Sequence, residues 1–234
     1  SSALRYFEEA SKREPNSGQR LIQWGDALMQ AQQWSLAESK LRRATELSPN
    51  DPRAWGRLGW TLWQQDKAAD AKAALEKAIA LDPELPEVRN NLGQVLWGSG
   101  DRTRAEAEFR EAIRIQPGVA EWRLNFARAL ASQNQFPEAR FQAEQSTLLK
   151  PSYAEAHEIL GDLLARNGDM TRAQRELQTA LQLQPDFPRA HLELGMVLAS
   201  RGDIPAARQH LNIAAQGADP QASAAARQQL DRIR

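Results

Sequence analysis

A spacing of 34 residues constrains this chain more than any other feature. The pattern set by Trp55, Leu58, Gly59, Leu62, Ala71, Leu75, Ala78 and Pro83 recurs at that interval along nearly the whole sequence. Its glycine returns as Gly25, Gly93, Gly161 and Gly195, its first alanine as Ala37, Ala105, Ala139, Ala173 and Ala207, and its proline as Pro49, Pro117, Pro151 and Pro185. A fixed period of this length marks a solenoid in which each unit is one supersecondary element. Trp55, Leu58, Gly59 and Leu62 fall at i, i+3, i+4 and i+7, and Ala71, Leu75 and Ala78 at i, i+4 and i+7. Each repeat therefore reads as two amphipathic helices.

The run WGRLGWTL, followed by AKAALEKA and Pro83, resembles the tetratricopeptide repeat, and the resemblance covers nearly the whole chain. It implies an all-α fold, a right-handed superhelical α-solenoid of tandem helix-turn-helix repeats. It also implies a binding scaffold, since the family serves many unrelated partners and its fold alone names none of them.

The period divides the chain into full repeats at 18–51, 52–85, 86–119, 120–153, 154–187 and 188–221, read as one continuous domain because a solenoid grows by stacking. Residues 1–17 read as the second helix of a truncated repeat, with Ala3, Phe7, Ala10 and Pro15 in the pattern's places. Residues 222–234 read as a capping helix opened by Asp219 and Pro220, with Ala222, Ala226, Leu230 and Ile233 on one face. The fourth repeat is degenerate. It carries Arg123, Ala127, Ala143 and Ser146 where the pattern wants an aromatic, a glycine, a large apolar residue and an alanine, and is expected to pack most loosely. Second-helix starts are expected at the capping-box pairs Ser35 with Glu38, Thr103 with Glu106 and Thr171 with Gln174, and at Pro137 and Pro205, where a missing N–H costs little. Gly100, Gly168 and Gly202 are expected to end the preceding helices in the left-handed conformation.

Charge and composition narrow the partners. Thirty basic residues balance thirty acidic ones, so no bulk positive field draws the chain to nucleic acid or anionic lipid. No apolar run is long enough for membrane insertion, and the opening SSALRYFEEA lacks the order of a signal peptide. The chain reads as soluble, cytoplasmic or periplasmic, because the absence of cysteine suits either redox space.

Catalysis needs a base, a nucleophile or a metal held in a pocket, and the sequence offers little toward it. His157 and His191 occupy the place of Trp55 and read as helix-packing residues, while His210 has no second ligand at metal-binding spacing. Adjacent acids such as Glu8 and Glu9 read as solvated helix faces. The chain is expected to be a non-enzyme with no cofactor and no metal.

The informative surface is the face of each first helix turned away from its packing stripe. At about 100° per residue, repeat positions 2, 5, 6, 9, 12 and 13 point there. In the tetratricopeptide family this face lines a groove, and the resemblance implies the same use here. Those places supply Arg57, Trp60, Trp63 and Gln64 from the second repeat, Asn90, Asn91, Gln94 and Trp97 from the third, and Asn125 and Arg128 from the fourth; these ten are the candidate ligand-binding residues. Gln23, Asp26 and Met29 join from the first repeat, while Glu155, Glu158 and Asp162 turn the fifth acidic. Trp60, Trp63 and Trp97 carry the strongest signal, because exposed indole is costly and enriched where partners dock. The competing reading makes Trp63 and Trp97, at position 12, supports for the neighbouring repeat. Asn91 and Asn125 resemble part of the asparagine ladder that holds peptide backbone in O-linked N-acetylglucosamine transferases. The chaperone-binding carboxylate clamp needs lysine at position 5 and asparagine at position 9 of one repeat, and position 5 reads Ile22, Gly56, Asn90, Leu124, Glu158 and Leu192, so the clamp is not there.

Three functions fit. The leading one is a protein-interaction scaffold that holds a peptide segment of a partner. The alternatives are a carbohydrate-binding module of a bacterial polysaccharide export system, since tryptophan beside Asn, Gln and Arg suits sugar rings, and a self-associating scaffold using Leu4 and Phe7 at the N-terminal end. RNA binding as in pentatricopeptide arrays ranks last, because it depends on a basic groove.

Overall fold

The helices keep the sequence period without drift. The computed structural model describes residues 17–233, and among them it holds thirteen α-helices and no strand. The first helices of the repeats are α1 (Gly18–Gln30), α3 (Pro52–Trp63), α5 (Pro86–Gly98), α7 (Ala120–Ser132), α9 (Ala154–Arg166) and α11 (Pro188–Ser200). The second helices are α2 (Trp34–Leu47), α4 (Ala68–Leu81), α6 (Arg102–Ile115), α8 (Phe136–Leu149), α10 (Met170–Leu183) and α12 (Ile204–Gln216). Both sets start 34 residues apart throughout, and α13 (Pro220–Arg232) follows α12. The helices form two compact units, α1 to α6 within 1–117 and α7 to α13 within 118–234. The truncated repeat expected over 1–17 lies outside the described residues except for Ser17, whose hydroxyl accepts the Arg20 N–H at 3.4 Å and caps α1.

Within a repeat the two helices meet at a glycine. A Cβ built on Gly25, Gly59, Gly161 or Gly195 would fall within 2.6–2.7 Å of Cγ of Leu41, Leu75, Leu177 or Leu211, and on Gly93 within 2.9 Å of the Phe109 ring. The missing side chain lets a large residue of the second helix press against first-helix backbone. The alanines of the pattern, Ala37, Ala71, Ala105, Ala139, Ala173 and Ala207, are all buried beside it. In the fourth repeat the same two places hold Ala127 and Ala143, both fully buried. One side chain has grown as its opposite has shrunk, which keeps the volume at the contact. Ser146 there donates its hydroxyl to the Ala120 carbonyl at 2.8 Å, and Arg123 donates to Gln142 at 3.0 Å. The departures in this repeat thus come with their own polar contacts.

Helix starts differ from the expected capping boxes. Ser35, Thr103 and Thr171 lie inside their helices, and the caps stand two residues earlier: Asp101 accepts from Arg104 N–H and Asp169 from Arg172 N–H, while Gln33 makes no side-chain cap. Aspartate is at least as good a cap as threonine, so the helix starts one residue past it. Asp203 does the same for α12, and Pro137 and Pro205 fall in the first turns as expected. Gly100, Gly168 and Gly202 have φ of +84°, +84° and +86°. The equivalent turns of the other repeats place Gln32, Asp66 and Asn134 at φ of 54°, 59° and 59°, a conformation that side chains resist.

The last helix closes the second unit. Ala222 and Ala226 of α13 are buried with Leu192, Leu211, Ala214 and Ala215, and Leu230 and Ile233 pack against the same cluster. Asp219 accepts the N–H groups of Gln221 and Ala222, and Ser223 Oγ donates to the carbonyls of Ala214 and Gly217 at 3.0 and 2.9 Å.

Candidate functional site

The face of the first helices turned away from the second helices is narrower than the wheel implied. Position 5 is buried in all six repeats, as Ile22, Gly56, Asn90, Leu124, Glu158 and Leu192. Within each unit a first helix is flanked by a first helix of an adjacent repeat as well as by its own second helix, and in the first unit position 5 is spent there: a Cβ on Gly56 would meet Val88 Cγ2 at 2.8 Å. The open stripe runs through positions 2, 6, 9 and 13, at i, i+4, i+7 and i+11, a single helical row. Asn90 and Asn91 correct the expectation of an open amide pair, being 4% and 8% exposed, with Asn90 Nδ2 donating to Asn91 Oδ1 at 3.3 Å.

In the first unit Arg57 ties three helices together. Its Nε donates to Asp26 of α1 at 2.9 Å and its Nη1 to Glu87 of α5 at 2.7 Å. The Asp26 carboxyl nevertheless sits above the usual carboxylate range, because burial outweighs the guanidinium. Gln23, Asp26 and Arg57 line a cavity of about 200 Å³ on this face. Trp60 is half-buried. Trp63 is half-buried and packs its ring where a Cβ on Gly98 would stand, 2.5 Å from Cη2, as a residue supporting the next repeat would. Trp97 is 36% exposed, Gln94 half-buried and Gln64 exposed at the C-terminus of α3. Eight of the ten candidate residues thus share one unit. Asn125 and Arg128 stand half-buried on α7 of the second.

In the second unit the same face is acidic. Glu158 of α9 is 4% exposed and makes no hydrogen bond or ion pair. Burial pushes its carboxyl up to about 7, against the pull of Arg128 and Arg189. Glu193 of α11 is pushed up to about 8 by burial and then by Asp162 and Glu158. Asp162 itself is engaged by Arg166, whose Nε donates to both carboxylate oxygens at 2.8 Å.

The histidines belong to a repeating device that the sequence analysis missed. Position 4 donates to the carbonyl of the proline six residues earlier: Trp55 to Pro49 at 2.8 Å, Arg89 to Pro83 at 2.8 Å, His157 to Pro151 at 3.0 Å and His191 to Pro185 at 2.9 Å. The other end of that side chain meets the residue 19 further on. Arg89 pairs with Glu108, Arg123 with Gln142, His157 with Glu176 at 2.7 Å and His191 with His210 at 2.9 Å. A 19-residue shift between polar residues is the signal that could have found these pairs. The Glu176 hydrogen bond raises His157 above the ordinary imidazole value, and burial lowers His210. His191, Ile213 and Asp219 line a cavity of about 600 Å³. No group of three residues able to hold a metal occurs among the described residues.

A tetratricopeptide repeat model matches residues 22–86, 57–120, 90–154, 124–173 and 160–223, which together cover most of the chain. This chain belongs to the tetratricopeptide repeat family. No curated protein matches it. Solved structures share the fold. The Cut9 and Hcn1 hetero-tetramer of the APC/C superposes with a TM-score of 0.83 at 16% identity, over 99% of this chain and 46% of the other. PilW, a type IV pilus biogenesis factor, gives 0.75 at 19% identity, over 83% and 90%. YrrB, a tetratricopeptide protein with an unusual peptide-binding site, gives 0.61 at 23% identity, over 79% and 95%. The all-α solenoid is that of protein-interaction scaffolds, and no described helix is long and apolar enough to cross a membrane.

Proposed function

We propose that this tetratricopeptide chain is a non-catalytic scaffold that holds a peptide segment of a partner protein against the open row of its first helices. The observation that carries this reading is the surface around Arg57 and Trp60. Every other side of these helices is taken up by packing, yet this one keeps half-exposed indole beside charged and amide groups. Aromatic and arginine side chains of that kind anchor partners more often than other residues do. Trp60 and Trp97 supply apolar contact, and Arg57, Gln64 and Gln94 supply hydrogen bonds toward an extended backbone. Trp63, Asn90 and Asn91 support that surface from beneath. The peptide-binding site of YrrB supports the class of ligand, though not its sequence. The test is a tryptophan fluorescence titration with a peptide library and with oligosaccharides. Saturable change with peptides alone is expected, and a response to oligosaccharides alone would replace this reading with the polysaccharide one. Self-association through Leu4 and Phe7 rests on residues outside the described range.

A further inference from the structure

Two glutamates on the acidic face of the second unit, Glu158 and Glu193, feel nearby arginines but form no hydrogen bond or ion pair. Glu158 is 4% exposed, its carboxylate keeps a narrow access to solvent, and no side chain or backbone N–H donates to it. Leaving an acid buried and unpaired costs more than pairing it or replacing it by an apolar residue. Every other position 5 in this chain is apolar, small or an amide. One helical turn further along, Asp162, Arg166 and Glu193 line a cavity of about 250 Å³ whose remaining walls include Met170, Met196, Val197 and Ser200. Asp162 is already held by Arg166, so Glu193, which makes no hydrogen bond or ion pair, is the carboxylate left for a visitor. Apolar walls with an acid between them complement an aliphatic stem that ends in a cation, the shape of a lysine or arginine side chain. A metal ion fits less well, since no three ligands converge among the described residues.

We propose that the cavity between α9 and α11 takes a basic side chain of a partner peptide, its methylenes against Met196 and Val197 and its cation at Glu193, with the Glu158 carboxyl acting on that site from outside the lining. This deepens the scaffold reading and rests on it, by naming the chemistry of a residue in the bound segment. Charge complementarity selects the occupant. The groups acting on the two glutamates are Arg128 from α7, Glu155, Asp162 and Arg166 from α9, and Arg189 from α11, which Asp219 at the start of α13 already engages. On the sides toward α8, α10 and α12, Glu144 pairs with Arg172, His157 with Glu176 and His191 with His210. Because burial raises both carboxyls toward neutrality, capture of a cation expels protons, and affinity strengthens as pH rises from about 6 to about 8.5.

The test compares acetylated, amidated alanine-serine peptides carrying lysine at alternate positions with matched peptides carrying norleucine, which keeps most of the stem and removes the charge. Binding is followed by calorimetry, and the carboxyl carbons of Glu158 and Glu193 by NMR. The lysine peptides are expected to bind at least about ten-fold more tightly than the norleucine peptides, to shift both carboxyl signals and to release protons at pH 7. Glu193→Gln, which keeps side-chain volume and removes a buried charge, is expected to abolish the preference while the fold persists by circular dichroism. Equal affinity for the two series, or a lysine preference unchanged in Glu193→Gln with unmoved carboxyl signals, overturns the proposal. If in that case uncharged library peptides still perturb tryptophan fluorescence in the first unit, the scaffold reading stands and only the basic-residue assignment falls. If no peptide of any kind binds, both fall.

Discussion

A Cβ on Gly59 would lie 2.6 Å from Cγ of Leu75 and 3.1 Å from the Ala71 carbonyl. The two side chains therefore share one volume, and the fourth repeat divides the corresponding volume differently, as Ala127 and Ala143. Gly59→Ala is expected to destabilise the first unit by about 1–2 kcal/mol, overpacking outweighing the helix propensity that alanine gains. Leu75→Ala is expected to cost about 2–5 kcal/mol through the cavity it leaves. The double variant reproduces the fourth-repeat solution and should cost at least about 1 kcal/mol less than the sum of the two. Urea unfolding of the four proteins measures the coupling, and strict additivity would show that the contact is not shared.

The turn after α1 offers a simple gain. Gln32 holds φ at 54° where three other repeats use glycine. Gln32→Gly is expected to stabilise by a few tenths to about 1 kcal/mol, relief of backbone strain exceeding the entropy that glycine adds to the unfolded chain. A fall in thermal midpoint would mean that the glutamine side chain contributes more than its backbone costs.

Stability of the second unit should decline as the solution turns basic. Glu158 and Glu193 are raised in the folded state to about 7 and about 8, against about 4.3 for glutamate in an unfolded chain. Their contribution is fully present below about 4.3 and is lost as pH rises through 7 to 8. His157, also raised by folding, acts in the same direction: its contribution is present below about 6.5 and lost above its folded value. Unfolding free energy measured by denaturant at pH 5 and pH 8.5 should therefore be larger at pH 5. Replacing either glutamate by glutamine should raise stability at pH 8.5 by at least about 1 kcal/mol and do much less at pH 5. A flat profile for the unsubstituted chain would contradict the burial of these two acids.

Helix number, register and pairing were legible because the period repeats the same information six times, so Gly59 and Ala71 are read in company rather than singly. The open face was legible in part. Trp60, Arg57 and Gln94 fall on it because the stripe of one helix predicts its opposite face. Asn90 and Asn91 were misplaced because a wheel drawn for one helix leaves out what packs on it from outside its own repeat, as Val88 does at Gly56. The caps were misplaced by two residues because Asp101 and Asp169 compete with Thr103 and Thr171 for the same free N–H groups. The histidine pairs were missed because each joins two helices across 19 residues, a separation no single-helix period contains. Hydrogen exchange is expected to be faster over 120–153 than over 52–85, and slower exchange over 120–153 would show that the Ser146 and Arg123 contacts compensate for the lost apolar area.

The measurement that tests the account most directly is the paired effect of Trp60→Ala on stability and on affinity for a peptide selected from the library. A surface residue outside the packing should move the unfolding free energy by less than about 0.5 kcal/mol. An aromatic anchor at the centre of a binding surface should cost about 2 kcal/mol or more of binding, a fall of about thirty-fold. That pair of results is expected if Trp60 is a binding anchor. A clear loss of stability with unchanged affinity would contradict it and assign Trp60 to the packing between repeats.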